Sequence, residues 1–237
     1  MTLLSTRGLS KQYAGLRAVH DVDFSLEKGE IRALIGPNGA GKSTFVGMLC
    51  GRIPASEGQV VFDGSDITPL AAHQRISLGM AYTFQITSVF ARLSTRENVA
   101  LAARRLSDST PRHVRERVYK ALEQVDLQDR AETLAGDLSY GHQRLLEIAM
   151  GLAQSPRLFI LDEPTQGLAE NEIESFKQLV KTLAVDATVL LIEHNMDVVM
   201  QTAQRITVLD FGEILAEGTP AEIRASDAVQ AAYLGTG

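Results

Sequence analysis

The sequence lacks the features of a disulfide-stabilised or membrane-spanning protein. Cys50 is the only cysteine among 237 residues, so no disulfide can form within the chain, and a reducing compartment is expected. No run of residues approaches the roughly 20 apolar positions that a transmembrane helix needs. The first residues, MTLLSTRGLSKQY, contain no long apolar stretch and no cleavage site, so we expect no signal peptide.

An excess of positive charge is also missing. The net charge is −6, which disfavours nonspecific nucleic-acid binding as the main activity. The composition, 45% hydrophobic and 22% charged, is that of an ordinary globular protein. The length predicts one large α/β domain, or one domain with a smaller lobe.

Short apolar runs alternate with helix-period segments, a pattern typical of a sheet with helical crossovers. The predicted strands are a buried one at 31–35, an edge strand at 58–64, and others at 79–84, 157–161 and 188–193. Residues 205–218 are predicted to form a strand, a turn and another strand. Within residues 88–153 the strand pattern gives way to helical segments that mix Arg and Glu with Ala and Leu. We therefore predict a single domain, 1–237, with a helical lobe at about 88–153 inserted between two strands.

A phosphate-binding loop follows the strand at 31–35. The run GPNGAGKST matches G-x-x-x-x-G-K-[ST] and stands between a predicted strand and a predicted helix, which is the context that this motif requires. Its glycines let backbone N–H groups turn toward phosphate oxygens, and the helix start adds its positive end. We expect Lys42 to reach the β- and γ-phosphates and the Ser43 hydroxyl to bind Mg²⁺. The candidate nucleotide-binding residues are Gly36, Pro37, Asn38, Gly39, Ala40, Gly41, Lys42, Ser43 and Thr44.

Two carboxylates end the strand in RLFILDEP. Asp162 is expected to hold the metal, through water, while Glu163 points to the other side of the extended chain and can orient an attacking water. Phosphoryl transfer demands mainly positioning and charge neutralisation from a protein, and this pair with Lys42 can supply both.

Other candidates follow neighbouring strands. Gln85 comes after the strand at 79–84 and His194 after that at 188–193, and ligands collect beyond the carboxyl ends of parallel strands. Tyr13 could stack on adenine. The Asn-Lys-x-Asp run that recognises guanine is absent, because the four asparagines are followed by Gly, Val, Glu and Met. ATP is therefore favoured over GTP.

A second helix start, at LSYGHQR, also has the form of an anion site. Ser139 precedes an apolar helical pattern and is expected to cap it. The order of Tyr13, GPNGAGKST, Gln85 in TFQ, LSYGHQR, LFILDEP and His194 resembles the ATP-binding-cassette (ABC) ATPases over nearly the whole chain. This resemblance implies a phosphate-loop α/β core with a mostly parallel sheet, an N-terminal antiparallel β portion and an inserted helical lobe.

The resemblance also implies the roles of the remaining site residues. In that family two nucleotide-binding subunits close face to face, and each signature helix caps the γ-phosphate held by the other subunit. Ser139, Gly141 and His142 would thus complete a partner's site in trans. ATP and Mg²⁺ are the implied cofactors, Gln85 joins Ser43 and Asp162 at the metal, and His194 acts with Glu163 and Lys42 in hydrolysis.

Finer features resemble one subfamily. Tyr140 within the signature, the run SYG-x-QR-x-LEIA, Gly167-Leu168 after DEPT, and the terminal AAYLG are similar to the ATP-binding subunits of importers of branched-chain amino acids, amides or urea. Three residues depart from the general family pattern: Tyr140 replaces a glycine, His142 a glutamine or glutamate, and Ala169 an aspartate that helps the two sites communicate.

These features imply an ATPase that drives an importer from the cytoplasmic face of the plasma (inner) membrane. The implied partners are integral membrane permeases, a second ATPase subunit that is either a copy or a sister chain, and an extracytoplasmic substrate-binding protein, without nucleic acid. Two alternatives stay open: an export motor, for example for envelope lipid, and a soluble ABC switch in DNA repair or translation. The soluble switches usually carry two cassettes or a long coiled coil, and neither is present.

Overall fold

The computed structural model describes residues 1–83, 88–106 and 110–234. The strands are β1 (Thr2–Tyr13), β2 (Leu16–Glu27), β3 (Ile31–Ile35), β4 (Glu57–Phe62), β5 (Ser65–Asp66), β6 (Met80–Tyr82), β7 (Leu158–Asp162), β8 (Thr188–Ile192), β9 (Arg205–Asp210) and β10 (Glu213–Gly218). The α-helices are α1 (Lys42–Leu49), α2 (Ala72–Ser77), α3 (Thr95–Ala103), α4 (Pro111–Gln124), α5 (Tyr140–Leu152), α6 (Glu170–Leu183), α7 (Met196–Thr202), α8 (Pro220–Arg224) and α9 (Asp227–Leu234).

The strands form two sheets. An antiparallel sheet has the order β2-β1-β4-β5, and a six-stranded sheet has the order β10-β9-β3-β8-β7-β6. Among the strands of the larger sheet that the structure describes, β10 pairs with β9 antiparallel and all other pairs are parallel. The predicted fold class, a mostly parallel sheet with an N-terminal antiparallel portion, is confirmed.

One strand prediction was wrong in its position. The strand predicted as an edge, at 58–64, is β4, and it lies between β1 and the two-residue strand β5. Phe62 pairs with Leu4 on one side and with Ser65 on the other. A two-residue strand has too little sequence to show a periodic pattern, so the sequence did not reveal that β4 is flanked on both sides.

The central strands are buried because apolar layers cover both faces of the larger sheet. Every residue of β3, β7 and β8 is buried, which explains their continuous apolar runs. Alternate residues serve opposite layers: Ile160 packs with α1 residues and the antiparallel sheet, whereas Phe159 packs with residues of α5 and α6. The two layers thereby hold the carboxyl ends of β3, β8 and β7 side by side, where the site residues follow.

Helices α3, α4 and α5 lie between β6 and β7 in chain order, as the helical segments of the sequence predicted. Val99, Val118 and Leu146, one from each helix, belong to the same apolar cluster as Phe159 of β7. Because this cluster is continuous with the sheet, the boundary of a separate lobe at 88–153 stays a prediction. Among the described residues, no helix is both long and apolar enough to cross a membrane.

Candidate functional site

The loop between β3 and α1 depends on two glycines, Gly36 and Gly41, that pass close to neighbouring backbone. Gly36 and Gly41 have φ angles of 151° and 97°. A Cβ on Gly36 would lie 2.0 Å from the carbonyl oxygen of Leu209, and one on Gly41 would lie 2.4 Å from that of Ala18. The loop therefore passes against the backbones of β9 and β2, and only glycine permits this approach.

The same loop offers a set of donors to an anion. Among the described residues, no protein acceptor meets the backbone N–H groups at the end of the loop and in the first turn of α1, namely those of Gly39, Gly41, Lys42, Ser43 and Thr44. The first N–H groups of a helix have no partner within it and carry its positive end, so they favour phosphate. The N–H of Ala40, by contrast, donates to the carbonyl of Pro37 at 3.2 Å, and Asn38 is exposed.

Lys42 lies across this loop. Its Nζ donates to the carbonyl oxygens of Gly36 at 2.6 Å and of Pro37 at 2.9 Å. Partial burial lowers the pKa of Lys42, while Glu163 and then Asp162 raise it. The two carboxylates are therefore close enough to act on the ammonium group, and the structure brings these three predicted residues together.

Asp162 is the last residue of β7 and is buried. The hydroxyl of Tyr82, at the end of the neighbouring strand β6, donates to its Oδ2 at 2.6 Å. Burial raises the pKa of Asp162 above its ordinary value, and the hydrogen bond from Tyr82 partly opposes that shift. The site thus places a carboxylate where its negative charge is costly unless a cation lies nearby.

Glu163 and His194 meet beyond the carboxyl ends of β7 and β8. The register pairs Asp162 with Ile192, and the N–H of Glu163 donates to the carbonyl of Ile192 at 2.9 Å. His194 Nδ1 lies 3.8 Å from Glu163 Oε1. Gln85, the remaining strand-end candidate, lies outside the described residues.

The LSYGHQR segment at 138–144, called the signature turn below, caps helix α5 with Ser139, as predicted. Ser139 Oγ accepts a hydrogen bond from the His142 N–H at 3.2 Å, and it lies 3.0 Å from His142 Nδ1. The turn packs against the segment after β7: a Cβ on Gly141 would lie 2.8 Å from a carboxylate oxygen of Glu172. Ser139 itself is exposed, so its hydroxyl is accessible from outside the chain.

Tyr13, the predicted adenine platform, is the last residue of β1. Its side chain is 42% exposed, and the Nζ of Lys11 lies 5.0 Å from the ring centroid. An exposed aromatic ring at a strand end is available for stacking on a base.

Sequence reasoning missed three residues that shape the site. Tyr82 binds Asp162, and Arg144 donates to the backbone carbonyls of Asp162 and Glu163. Glu193 is 1% exposed, and its carboxylate accepts from the Thr165 hydroxyl at 2.6 Å and from the N–H of His194 at 3.1 Å. A signal existed for Arg144, which stands on the apolar face of a helical pattern, where a charged residue needs partners.

Comparison with known proteins agrees with this geometry. Residues 19–166 match the ABC transporter family, and residues 213–237 match the family described as branched-chain amino acid ATP-binding cassette transporter. The second match covers the AAYLG segment at 231–235, which resembles the same group.

Two relatives are similar over nearly their whole length. The high-affinity branched-chain amino acid transport ATP-binding protein BraF of Pseudomonas aeruginosa is 38% identical, over 98% of both chains. The lipopolysaccharide export system ATP-binding protein LptB of Haemophilus influenzae is 33% identical, over 99% of this chain and 98% of its own.

Two solved structures share the fold. MJ1267, an ATP-binding cassette of an ABC transporter, superposes with a TM-score of 0.89 at 28% identity, over 98% of this chain and 99% of its own. The cassette MJ0796, solved as a dimer bound to ADP and Pi, gives a TM-score of 0.84 at 25% identity, over 92% and 99%. By its family match, its full-length relatives and its phosphate loop, this chain belongs to the ABC transporter family as an ATP-binding, ATP-hydrolysing subunit.

Proposed function

We propose that this chain drives a membrane importer of branched-chain or other small amino acids, amides or urea. The observation that carries the proposal is the match of residues 213–237 to the branched-chain amino acid cassette family, at the end where the sequence already resembled that group. The full-length similarity to BraF supports it. Export of an envelope lipid is the second candidate, and the similarity to LptB over the full chain favours it.

The nucleotide would bind at the glycine loop. The free N–H groups and Lys42 would receive the β- and γ-phosphates, and Tyr13 would stack on the adenine. The oxygen donors present fit Mg²⁺, because this ion is usually held by one or two carboxylates together with substrate phosphates. Ser43, Asp162 and Gln85 would hold it, and the cation would neutralise charge on the phosphates.

Hydrolysis needs a positioned water and a base. Glu163, half-buried beside Lys42 and Asp162, would orient and polarise the water. His194, 3.8 Å from the Glu163 carboxylate, would stay close to the γ-phosphate and respond to its loss.

A second subunit would complete each site. Ser139 is exposed at the start of α5, whereas His142 is half-buried and Gly141 is buried against Glu172 of its own chain. The exposed side at Ser139 would suit the γ-phosphate of a partner. The partner would be either a copy of this chain or a sister ATPase. In this arrangement His142, which replaces the usual glutamine or glutamate, reaches the serine that meets the phosphate.

The permeases would dock on the α3–α4 region. A groove of about 750 Å³ between these helices is lined by apolar Val114 and Val118 and by three arginines. Beside it, Asn98, fully buried, accepts from the N–H of Phe90 at 2.8 Å and donates to its carbonyl at 3.1 Å. These hydrogen bonds fix the backbone of Phe90, which lies in the segment after Gln85 and is 56% exposed. Phe90 would contact a membrane subunit.

The complex would therefore sit at the cytoplasmic face of the plasma (inner) membrane as a peripheral subunit. Integral permeases would provide the path, and an extracytoplasmic binding protein would deliver the substrate. Nucleic acid is not among the proposed partners, in keeping with the net charge of −6.

The test starts from the intact assembly. The tagged chain is purified from a detergent extract of the native membranes, its partners are identified, and the complex is reconstituted in proteoliposomes. ATP-dependent accumulation of leucine or urea that is lost in Glu163→Gln supports the importer. Recovery with lipid-export permeases favours the second candidate, and recovery with ribosomes or DNA overturns both.

A further inference from the structure

Arg144 stands in the second turn of α5 and is completely buried. Its guanidinium donates to the backbone carbonyl of Asp162 and, at 2.9 Å, to that of Glu163. It also forms an ion pair with Glu147, three residues further along the helix, at 2.9 Å. Arg144 of α5 thus binds two consecutive backbone carbonyl groups at the carboxyl end of β7 in the same chain.

Those carbonyls flank a backbone that needs support. Glu163 has a φ of 47°, in the left-handed region that residues with a Cβ rarely adopt. Such conformations persist where the surroundings over-determine them, and they cluster at functional sites. Here the N–H of Glu163 is bound to Ile192, and Arg144 holds the carbonyls on both sides.

The direction of the Glu163 side chain follows from this turn. The prediction that Glu163 continues an extended chain was wrong, because β7 ends at Asp162 and Glu163 has a φ of 47°. A left-handed residue changes the direction of the chain, whereas an extended residue would continue the alternation of the strand. The Glu163 carboxylate then lies 3.8 Å from His194. If Arg144 were shorter, the turn could relax, and the carboxylate would move away from the position that it holds now.

We infer that Arg144 is a positioning residue for Glu163, and that helix α5 connects the two sites of the dimer. Its N-terminal end, with Ser139, faces the nucleotide of the partner, and its second turn holds the base of its own site. The inference rests on the proposed roles of Glu163 and Ser139. It explains why the arginine lies within the signature run, one turn after the residues that meet the partner's phosphate.

The experiment replaces Arg144 by lysine in the intact complex. Lysine keeps the charge beside Glu147 but cannot donate to two carbonyls in the planar geometry of a guanidinium. We expect kcat to fall about 10- to 100-fold, as for a small misplacement of a catalytic group, with KM and ATP affinity little changed. The matched control is Glu147→Gln, which weakens the ion pair and leaves both carbonyl bonds, and its kcat is expected to stay near that of the wild type.

A second arm asks whether the effect passes through Glu163. Single-turnover hydrolysis is measured for Arg144→Lys, Glu163→Gln and the double variant. If Arg144 acts by positioning Glu163, the double variant is no slower than Glu163→Gln alone. If the double variant is slower by the product of the two single losses, or if Arg144→Lys has a normal kcat, the inference is overturned while Glu163 keeps its role. Normal turnover in Glu163→Gln alone overturns the proposed role of Glu163 and the inference with it.

Folding is followed in parallel by thermal unfolding. If Arg144→Lys does not fold, Arg144→Gln, which can still donate to one carbonyl, takes its place in both arms. A kcat loss that disappears in the Glu163→Gln background supports the inference in either variant. If neither variant folds, Arg144 serves the fold itself and the positioning role is rejected.

Discussion

The hydroxyl of Tyr82 donates a hydrogen bond of 2.6 Å to Oδ2 of Asp162, and the guanidinium of Arg52 lies 5.1 Å from the centroid of the same tyrosine ring. Burial raises the pKa of this tyrosine, so it remains a donor at neutral pH. Two adjacent strand ends, β6 and β7, are thereby joined at the proposed metal site. The hydroxyl of Tyr82 thus binds one carboxylate oxygen of Asp162, the residue proposed to hold Mg²⁺.

The burial of Asp162 predicts that its carboxylate lowers the stability of the fold while serving the proposed hydrolysis. A carboxyl group whose pKa is raised by folding contributes stability below its unfolded pKa, near 3.8, and loses that contribution as pH rises through the raised value. At pH 7 without Mg²⁺ or nucleotide, ionised Asp162 therefore opposes folding. Asp162→Asn is expected to increase the free energy of unfolding by about 0.5–2 kcal/mol while abolishing hydrolysis.

The measurement is urea unfolding of both proteins at neutral and acidic pH. The advantage of Asp162→Asn should shrink as pH falls, because the wild-type group becomes protonated. Asp186→Asn removes the same charge at an exposed site and is the control. A loss of stability at neutral pH would contradict the proposed cost of the buried charge.

Glu163→Gln should separate binding from chemistry. The amide keeps the shape of the side chain but cannot act as a base, so turnover is expected to fall ~10²–10⁴-fold. MgATP affinity should be unchanged, because the proposal assigns the phosphates and the metal to Lys42, Ser43 and Asp162. Steady-state hydrolysis and nucleotide affinity are measured side by side, with Glu170→Gln, at an exposed glutamate, as the control. Turnover at the wild-type rate would remove Glu163 from the mechanism.

Tyr13→Ala should weaken ATP and GTP binding to similar degrees. Stacking uses the π-face of the ring and does not read the hydrogen-bonding edge of the base, and its loss is expected to cost ~1–3 kcal/mol. Tyr13→Phe keeps the ring and should bind both nucleotides nearly as well as the wild type. Unchanged affinity in Tyr13→Ala would assign the tyrosine to the surface of the β1 end, without a role in binding.

Ser139→Arg should block closure of the dimer and spare nucleotide binding. In a Glu163→Gln background, which keeps ATP intact, ATP but not ADP is expected to produce dimers in sedimentation. If the partner is a sister ATPase, both chains must be present. Adding Ser139→Arg should leave monomers that bind ATP normally, because a bulky side chain blocks the exposed helix start.

Ser139→Ala is the matched control for that experiment. It removes the hydroxyl that caps the His142 N–H without adding bulk, so ATP should still produce dimers, but more weakly than with Ser139 present. Loss of ATP binding by the Ser139→Arg monomer would place the turn in its own site. Dimers formed by Ser139→Arg would reduce Ser139 to a helix cap.

Local sequence was sufficient for the parts of this protein whose structure depends on near neighbours. Apolar runs predicted the central strands, because a strand that is buried on both faces needs apolar residues at nearly every position. The glycine loop could be predicted because only glycine easily adopts φ angles such as the 97° of Gly41. The helix that follows begins at Lys42, directly after the loop. The capping role of Ser139 was likewise local, since the donor is three residues away.

Tertiary structure alone decided the relations between distant residues. That Tyr82 reaches Asp162, 80 residues away, and that Arg144 reaches the carbonyls of Asp162 and Glu163, depends on strand order and on the packing of α5 against β7. The flanking of β4 by β5 was not visible for another reason: β5 has only two residues and shows no periodic pattern. A hydrogen bond between distant residues leaves no periodic trace in sequence, because its partners are brought together only when apolar layers fix the sheet.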